Sequence, residues 1–340
     1  METHSAFRVA IGLWKVLPPI LIVLGNVGNI LVILVLSSRK QRKSATSTYL
    51  CALALSDILA LDTGLVRQWV KHAFSYDIRV DVSTTGCRVH WFVVYLVTQF
   101  SSWMLICVTL ERLIVTWFPQ SKHKLCSKVS SLILVTVILI CLVLLNGHYL
   151  FGYGHIYKVS NNATTYKKCS PLSAKYETFV LFAWTWIDLT IFYLIPLTIL
   201  ATGNGLIVYK VLMSRRKAKR AVAPTGAGDP AMPRTTQQTR LSNLTMSLML
   251  VCAVFMICIF PVVLYPIGEP YWEHQASDNK RAHLYLFNTI ANLLMYVNHA
   301  INFILYFLSG TIFRNDVKAL CLRRPTPVNS ITQMVPVTVP

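Results

Sequence analysis

The side chains best equipped for chemistry lie in the most apolar parts of the chain. Asp57 sits in LALSDILAL, Asn29 in GNVGNILVI and Ser101 in QFSSWM, while Asn298 and Asn302 are four apart in VNHAINFILYF. On a helix that spacing puts both amides on one face. An ionisable group in an apolar run needs a partner, because burying it unpaired is expensive. For any one of these residues a backbone bond or a water would suffice. Together they offer a carboxylate and several neutral oxygens, a set that suits a small hard cation with water. The two amides are therefore expected to face Asp57. A second pair, Glu111-Arg112, places an always-ionised guanidinium beside a carboxylate that can hold it.

These residues need long helices to position them. Of 340 residues, 54% are hydrophobic and only 13% charged, a balance that points to a lipid solvent. A helix needs about 20 apolar residues to cross a bilayer. Seven runs qualify, near 16–36, 48–70, 88–117, 129–151, 178–212, 244–266 and 283–308, and they are called spans 1 to 7. The expected architecture is an all-α membrane protein, a seven-helix transmembrane bundle at 16–308 with a short amphipathic eighth helix. Residues 1–15 form a short extracellular segment, 213–243 a basic, then Pro- and Gly-rich, cytoplasmic loop, and 309–340 the eighth helix and a tail. METHSAFRVAIGLWK runs into an apolar stretch too long for a signal-peptide core, so span 1 is expected to serve as its own anchor. With the amino terminus outside, 20 of the 32 lysines and arginines fall on the inner side and 12 on the outer, the positive-inside bias. The net charge of +19 is then mostly a topology charge. Basic residues that flank apolar spans do not make a nucleic-acid surface.

Cysteines check the orientation. Of nine, this topology puts only Cys87 and Cys169 at the oxidising outer surface, so a disulfide between them is expected. Cys321 follows the amphipathic GTIFRNDVKALCLRR, a place for palmitoylation or for an unmodified thiol. Asn162-Ala163-Thr164 is a glycosylation acceptor on the outside.

In order and spacing these pieces resemble the rhodopsin-like (class A) G-protein-coupled receptors across all seven spans. Gly28-Asn29 is similar to the family's GN pair, and LALSD to its LAxAD. Glu111-Arg112-Leu113 stands 25 residues beyond Cys87 where the family has Glu/Asp-Arg-Tyr, and Pro119 follows Arg112 by seven. Pro196, then Phe255, Cys258 and Pro261, continue the match, and Asn302 to Tyr306 resembles NPxxY. Shorter pieces, NxAINFxLY and LIVYK with Asn204, resemble invertebrate FMRFamide-type neuropeptide receptors and their orphan vertebrate relatives. The resemblance implies a multi-pass plasma-membrane receptor, amino terminus extracellular, that binds an extracellular peptide and activates a heterotrimeric G protein. Glu111, Arg112, Phe255, Pro261, Asn302 and Tyr306 would carry activation, span 6 swinging about the bend that a mid-span proline supplies. Its implied cofactor is none beyond an allosteric sodium ion held by Asp57, Ser101, Asn298 and Asn302. The chain departs from the pattern at Phe303, the NPxxY proline, which gives span 7 less reason to kink. It departs also at Ile259, the usual tryptophan of span 6, and at Leu241, the usual acid at its base.

The resemblance also narrows the ligand. Val94 stands where amine receptors carry an acid, and Tyr296 where opsins carry the retinal lysine, so both of those classes fall. The upper ends of the spans offer Arg67, His90, Tyr95, Gln99, Asp188, Tyr265, Asn288 and Asn292 as ligand contacts. Asp188, eight before Pro196, faces the interior if span 5 is regular and could pair a ligand cation, such as an arginine of an amidated peptide. The 12 outer basic residues leave room for an acidic ligand. No GxGD, HExxH or Ser/His/Asp set supports an enzyme. No repeat or broken helix pair supports a transporter. A non-signalling scavenger or scaffold on the same fold is the alternative function.

Overall fold

A computed structural model describes residues 4–38, 44–121, 126–160, 163–221, 235–272, 274, 276–309 and 311–321. The expected spans are helices, most of them longer than a bilayer requires. Span 1 is Ser5–Leu36, span 2 Ala45–Phe74, span 3 Thr84–Trp117, span 4 Lys128–Gly152 and span 5 Ala174–Ser214. Span 6 lies in the helix Thr235–Trp272, and span 7 is the pair Asp278–Ala300 and Asn302–Leu308. At 1.5 Å per residue the 32 residues of span 1 reach about 48 Å, so turns stand clear of the roughly 30 Å hydrocarbon layer. A separate helix, Thr311–Cys321, matches the expected eighth one.

Three boundaries differ from expectation. The segment 1–15 is helical from Ser5, and it joins the bundle. Phe7 meets Tyr285 with ring centroids 5.1 Å apart, and Trp14 stacks on His72 at 5.4 Å while its Nε1 donates to Thr289 Oγ1. The connection between spans 5 and 6 is shorter than 213–243, because the helix of span 5 runs on to Ala221 and that of span 6 starts at Thr235. Arg, Lys and Ala carry the helix through RRKAKRA, and the first breaker is Pro224. The connection after span 4 is a β-hairpin: β1, Tyr153–Ser160, pairs antiparallel with β2, Ala163–Pro171. Its β-branched and aromatic residues favour an extended ribbon. Among the described residues the bundle is all-α apart from this cap.

Two spans carry π-turns, at Leu61–Leu65 in span 2 and at Phe179–Trp184 and Leu189–Leu194 in span 5. Each such turn adds a residue and rotates the helix beyond it. Span 5 is therefore not regular between Asp188 and Pro196.

The main surprise is in span 7, which bends by 52° at Ile301 without a proline. Phe303 in place of proline gave it less reason to kink. The bend frees the His299 carbonyl, and Asn29 Nδ2 of span 1 takes it at 3.0 Å. A foreign side chain in the helical ladder is a recognised cause of a sharp kink. Gly28 makes the approach possible, since a Cβ there would lie 2.8 Å from Phe303 Cβ.

Candidate functional site

Polar residues gather at three depths. At the end of the bundle where span 3 finishes, Arg112 and Glu111 are both buried, with Arg112 Nη2 at 3.7 Å from Glu111 Oε2. Thr46 of span 2 bridges them. Its hydroxyl donates to Glu111 Oε1 and Oε2 at 2.8 and 2.6 Å and accepts from Arg112 Nη2. The expected acid–arginine pair is thus present, with a third member that the sequence did not single out. Leu241 and the sides of residues 235–248 lie outside the described residues. Farther up span 6, Phe255 is buried edge-on to Phe192 at 6.5 Å, and Pro261 is half-buried. Pro261 has no amide to donate, so the helix lacks one bond there.

At mid-depth, Asp57 is fully buried and held from three sides. Ser101 Oγ donates to Oδ1 at 3.0 Å, His299 Nδ1 bonds the same oxygen at 2.7 Å, and Asn302 Nδ2 donates to Oδ2 at 2.6 Å. His299, one place before Ala300 in the same motif, was missed. Its position beside Asn298 on a face already assigned to the cluster was the available signal. Asn298 is buried, but among the described residues it makes no hydrogen bond to Asp57. Tyr306 is buried below, packed near Phe313 at 6.0 Å.

A sodium ion would need acceptor oxygens converging with the carboxylate. Here hydrogen-bond donors converge on it, and an imidazole occupies one approach. Asn298 Oδ1 and Asn302 Oδ1 are buried acceptors without a partner, so oxygens that could hold a cation are present, while in this arrangement the carboxylate itself is turned to Ser101, His299 and Asn302.

At the opposite end, where span 3 begins, the ligand-contact candidates divide into groups. Gln99 is fully buried and joins three spans: its Nε2 donates to Asp188 Oδ1 at 2.8 Å, and its Oε1 accepts from Asn146 Nδ2 at 2.7 Å. Asp188 thus faces inward despite the irregular span 5, and Asn146 is a member that the sequence reading lacked. Tyr95 lies between this network and an aromatic group, with centroids 4.8 Å from Tyr149, 5.8 Å from Trp91 and 6.0 Å from Trp184. Asn288 and Asn292 bond each other on span 7, and Tyr265 packs on Trp272 and Phe287.

The remaining group surrounds the first outer loop. Ser75, with φ of 54°, ends span 2 in the left-handed region. Asp77 then caps the single turn Ile78–Asp81. Its carboxylate takes Arg67 in a fork, Nε at 2.7 Å and Nη2 at 2.6 Å. Burial would raise the Asp77 carboxyl, but the bonds and charge of Arg67, aided by Lys71, hold it below the usual range. Arg79, also buried, lies over the Trp91 ring at 3.6 Å and donates from Nε to His90 Nδ1 at 2.9 Å. Since His90 Nδ1 accepts, its ring proton is on Nε2, which meets Thr63 O at 3.1 Å. Burial and the neighbouring Arg67 push Arg79 down to about 9, which leaves it charged at neutral pH.

The cap is tied to span 3. Cys87 and Cys169 form the expected disulfide, with Cα atoms 5.6 Å apart. Lys168 of β2 pairs with Asp81 at 2.7 Å, and Arg88 Nε donates to Tyr153 O at 2.7 Å. Asn162, the glycosylation candidate, lies outside the described residues, as does the side chain of Cys321.

Comparison with known proteins assigns the class. The profile of the family described as 7 transmembrane receptor (rhodopsin family) matches residues 28–306, and the chain belongs to that family. It is similar to the FMRFamide peptide receptor frpr-18 of Caenorhabditis elegans, 23% identical over 93% of this chain and 71% of that one. The thyrotropin-releasing hormone receptor of Gallus gallus is 23% identical over 88% and 75% of the two chains. Human galanin receptor type 2 is 25% identical over 89% and 71%.

Proposed function

We propose that this chain is a plasma-membrane receptor, amino terminus outside, that binds an extracellular peptide at the outer ends of its spans and activates a heterotrimeric G protein at their inner ends. The observation that carries the reading is Arg112: a buried guanidinium at the inner end, held by Glu111 and Thr46 in an arrangement that can open. Similarity to receptors named for FMRFamide, thyrotropin-releasing hormone and galanin supports a peptide ligand.

In this reading the latch at Thr46 is the resting state. Ligand contact near Asp188 and Tyr95 biases span 6, which pivots at Pro261, and Arg112 leaves Thr46 to line the G-protein pocket. Ligand and G protein then strengthen each other's binding by the same factor. Asn162 as a glycan acceptor and Cys321 as a lipid anchor belong to the same orientation.

The test is Arg112→Ala in cells with a calcium or cyclic-nucleotide readout, after a screen of neuropeptides finds an agonist. Surface ligand binding is expected to persist while the second-messenger response is lost. A wild-type chain that binds its ligand well and evokes no response would instead be a scavenger or scaffold.

A further inference from the structure

Among the described residues, Arg79 is a buried cation with its hydrogen-bonding fork unused. Arg79 is 8% exposed, and among the described residues its guanidinium makes one hydrogen bond, from Nε to His90. Its two terminal nitrogens carry four further N–H donors. No carboxylate takes them, because Asp77 is engaged by Arg67 in the fork described above and approached by Lys71 at 3.9 Å. His90 accepts from Arg79 and is neutral, so it supplies no counter-charge. Three cations, Arg67, Lys71 and Arg79, thus share one nearby carboxylate, Asp77.

The fork is also held still and aimed inward. Trp91 supports one face of the guanidinium, and Asp77 Oδ1 accepts from the Arg79 backbone at 3.1 Å. The Lys168–Asp81 pair and the Cys87–Cys169 bond tether the loop from above. The guanidinium lies against span 3, over Trp91 and bonded to His90, whose Nε2 meets Thr63 O of span 2, and the next residue of span 2, Gly64, faces Tyr296 of span 7. Tyr296 reaches that position because Gly64 has no side chain: a Cβ there would lie 2.5 Å from Tyr296 Oη.

We propose that Arg79 is the anion subsite of the ligand pocket and receives a carboxylate of the ligand, either the free carboxyl terminus of a peptide or an acidic side chain. A planar fork matches a carboxylate with two parallel bonds, and a desolvated arginine without a counter-ion gains most from that pairing. Asp188 of span 5, which accepts from Gln99, is the anionic group that a positive part of the same ligand would meet. The inference deepens the peptide-receptor reading and rests on it for the word ligand. It differs from what the amidated name of the FMRFamide relatives suggests, since an amidated terminus carries no charge.

The test uses purified full-length receptor in lipid nanodiscs and follows its thermal unfolding. The probes are N-acetylphenylalanine and its neutral amide, with N-acetylglutamate amide and N-acetylglutamine amide as the side-chain pair. At least one acid is expected to stabilise wild type at concentrations about tenfold or more below its neutral partner. In Arg79→Gln that preference disappears. Where Arg79→Gln does not fold, Arg79→Lys serves, because it keeps the charge but loses the fork, and the preference must fall severalfold.

Equal effects of acid and neutral probe, no stabilisation by either acid, or a preference that survives in the variant overturns the site. No G protein is involved, so the two readings fail separately. Acid preference without signalling defeats the receptor function and keeps the subsite. Signalling to a peptide whose potency ignores Arg79→Gln does the reverse.

Discussion

Asp57 and Arg79 are both buried charges, and the protein treats them oppositely. Asp57 accepts from Ser101, His299 and Asn302, side chains of two other spans. Arg79 has one hydrogen bond through its guanidinium and an aromatic ring beneath it. A charge closed by its own chain joins helices, and its removal strands several donors at once. A charge left open, yet fixed in place, is stabilised only when something arrives to complete it. On the proposed reading, the difference separates the part of the bundle that holds and switches from the part that recognises.

The comparison breaks most visibly at Asp57. Asp57→Asn keeps the volume but turns an amide N–H toward groups that are themselves donors. Leaving such groups unsatisfied in the interior costs about 2–4 kcal/mol. A large fall in unfolding temperature is expected, with loss of G-protein activation. With three donors holding the carboxylate, exchanging sodium for potassium in the buffer should leave wild-type ligand affinity unchanged. A sodium-dependent affinity that Asp57→Asn abolishes would show that the cluster opens to a cation, and that Asp57 is not closed after all.

Much of the closed region was legible in the sequence, and little of the open one. Asp57, Ser101 and Asn302 announce themselves because a polar residue in a long apolar run has few explanations. His299 escaped notice although it lies between two residues already assigned. Histidine is common enough at functional and structural positions that its type alone said little. Arg79 was invisible for a different reason. In a polar loop an arginine is ordinary, and only the fold shows that Trp91 and the Asp77 turn carry it inward. The bend in span 7 was misjudged because proline is the sequence signal for a kink, whereas the cause here is Asn29, some 270 positions away in the chain. The hairpin capping the bundle was likewise hidden in a segment known only as a loop.

A smaller perturbation sharpens the closed side. Asn29→Ala removes the donor from the His299 carbonyl at the bend, leaving a buried acceptor unsatisfied at a cost of about 1–3 kcal/mol. The protein is expected to remain folded with a lowered unfolding temperature, and hydrogen exchange should rise at residues 299–303 more than in spans 3 or 4. Uniform exchange across the bundle would mean that Asn29 stabilises the fold generally and that the bend is held by Asp57 alone.

The smallest effect lies on the open side, at Asp77. Its carboxyl sits below the ordinary carboxylate range in the folded receptor, since the paired Arg67 and nearby Lys71 outweigh burial. A group depressed by folding contributes stability above its unfolded value, near 3.9, and loses it as pH falls through the lower folded value. The groups around it are Arg67 and Lys71 on span 2, Arg79 and Asp81 in the adjoining turn, and His90 on span 3. Unfolding temperature is therefore expected to drop more steeply for wild type than for Asp77→Asn between pH 4 and pH 3, while the variant starts lower at pH 7. Protonating Asp77 also frees the Arg67 fork, giving the cap a second unpaired guanidinium beside Arg79. If the two proteins show parallel acid limbs, the Asp77–Arg67 pair contributes nothing to the folded cap, and Arg79 is held in place by Trp91 and the disulfide-anchored hairpin instead.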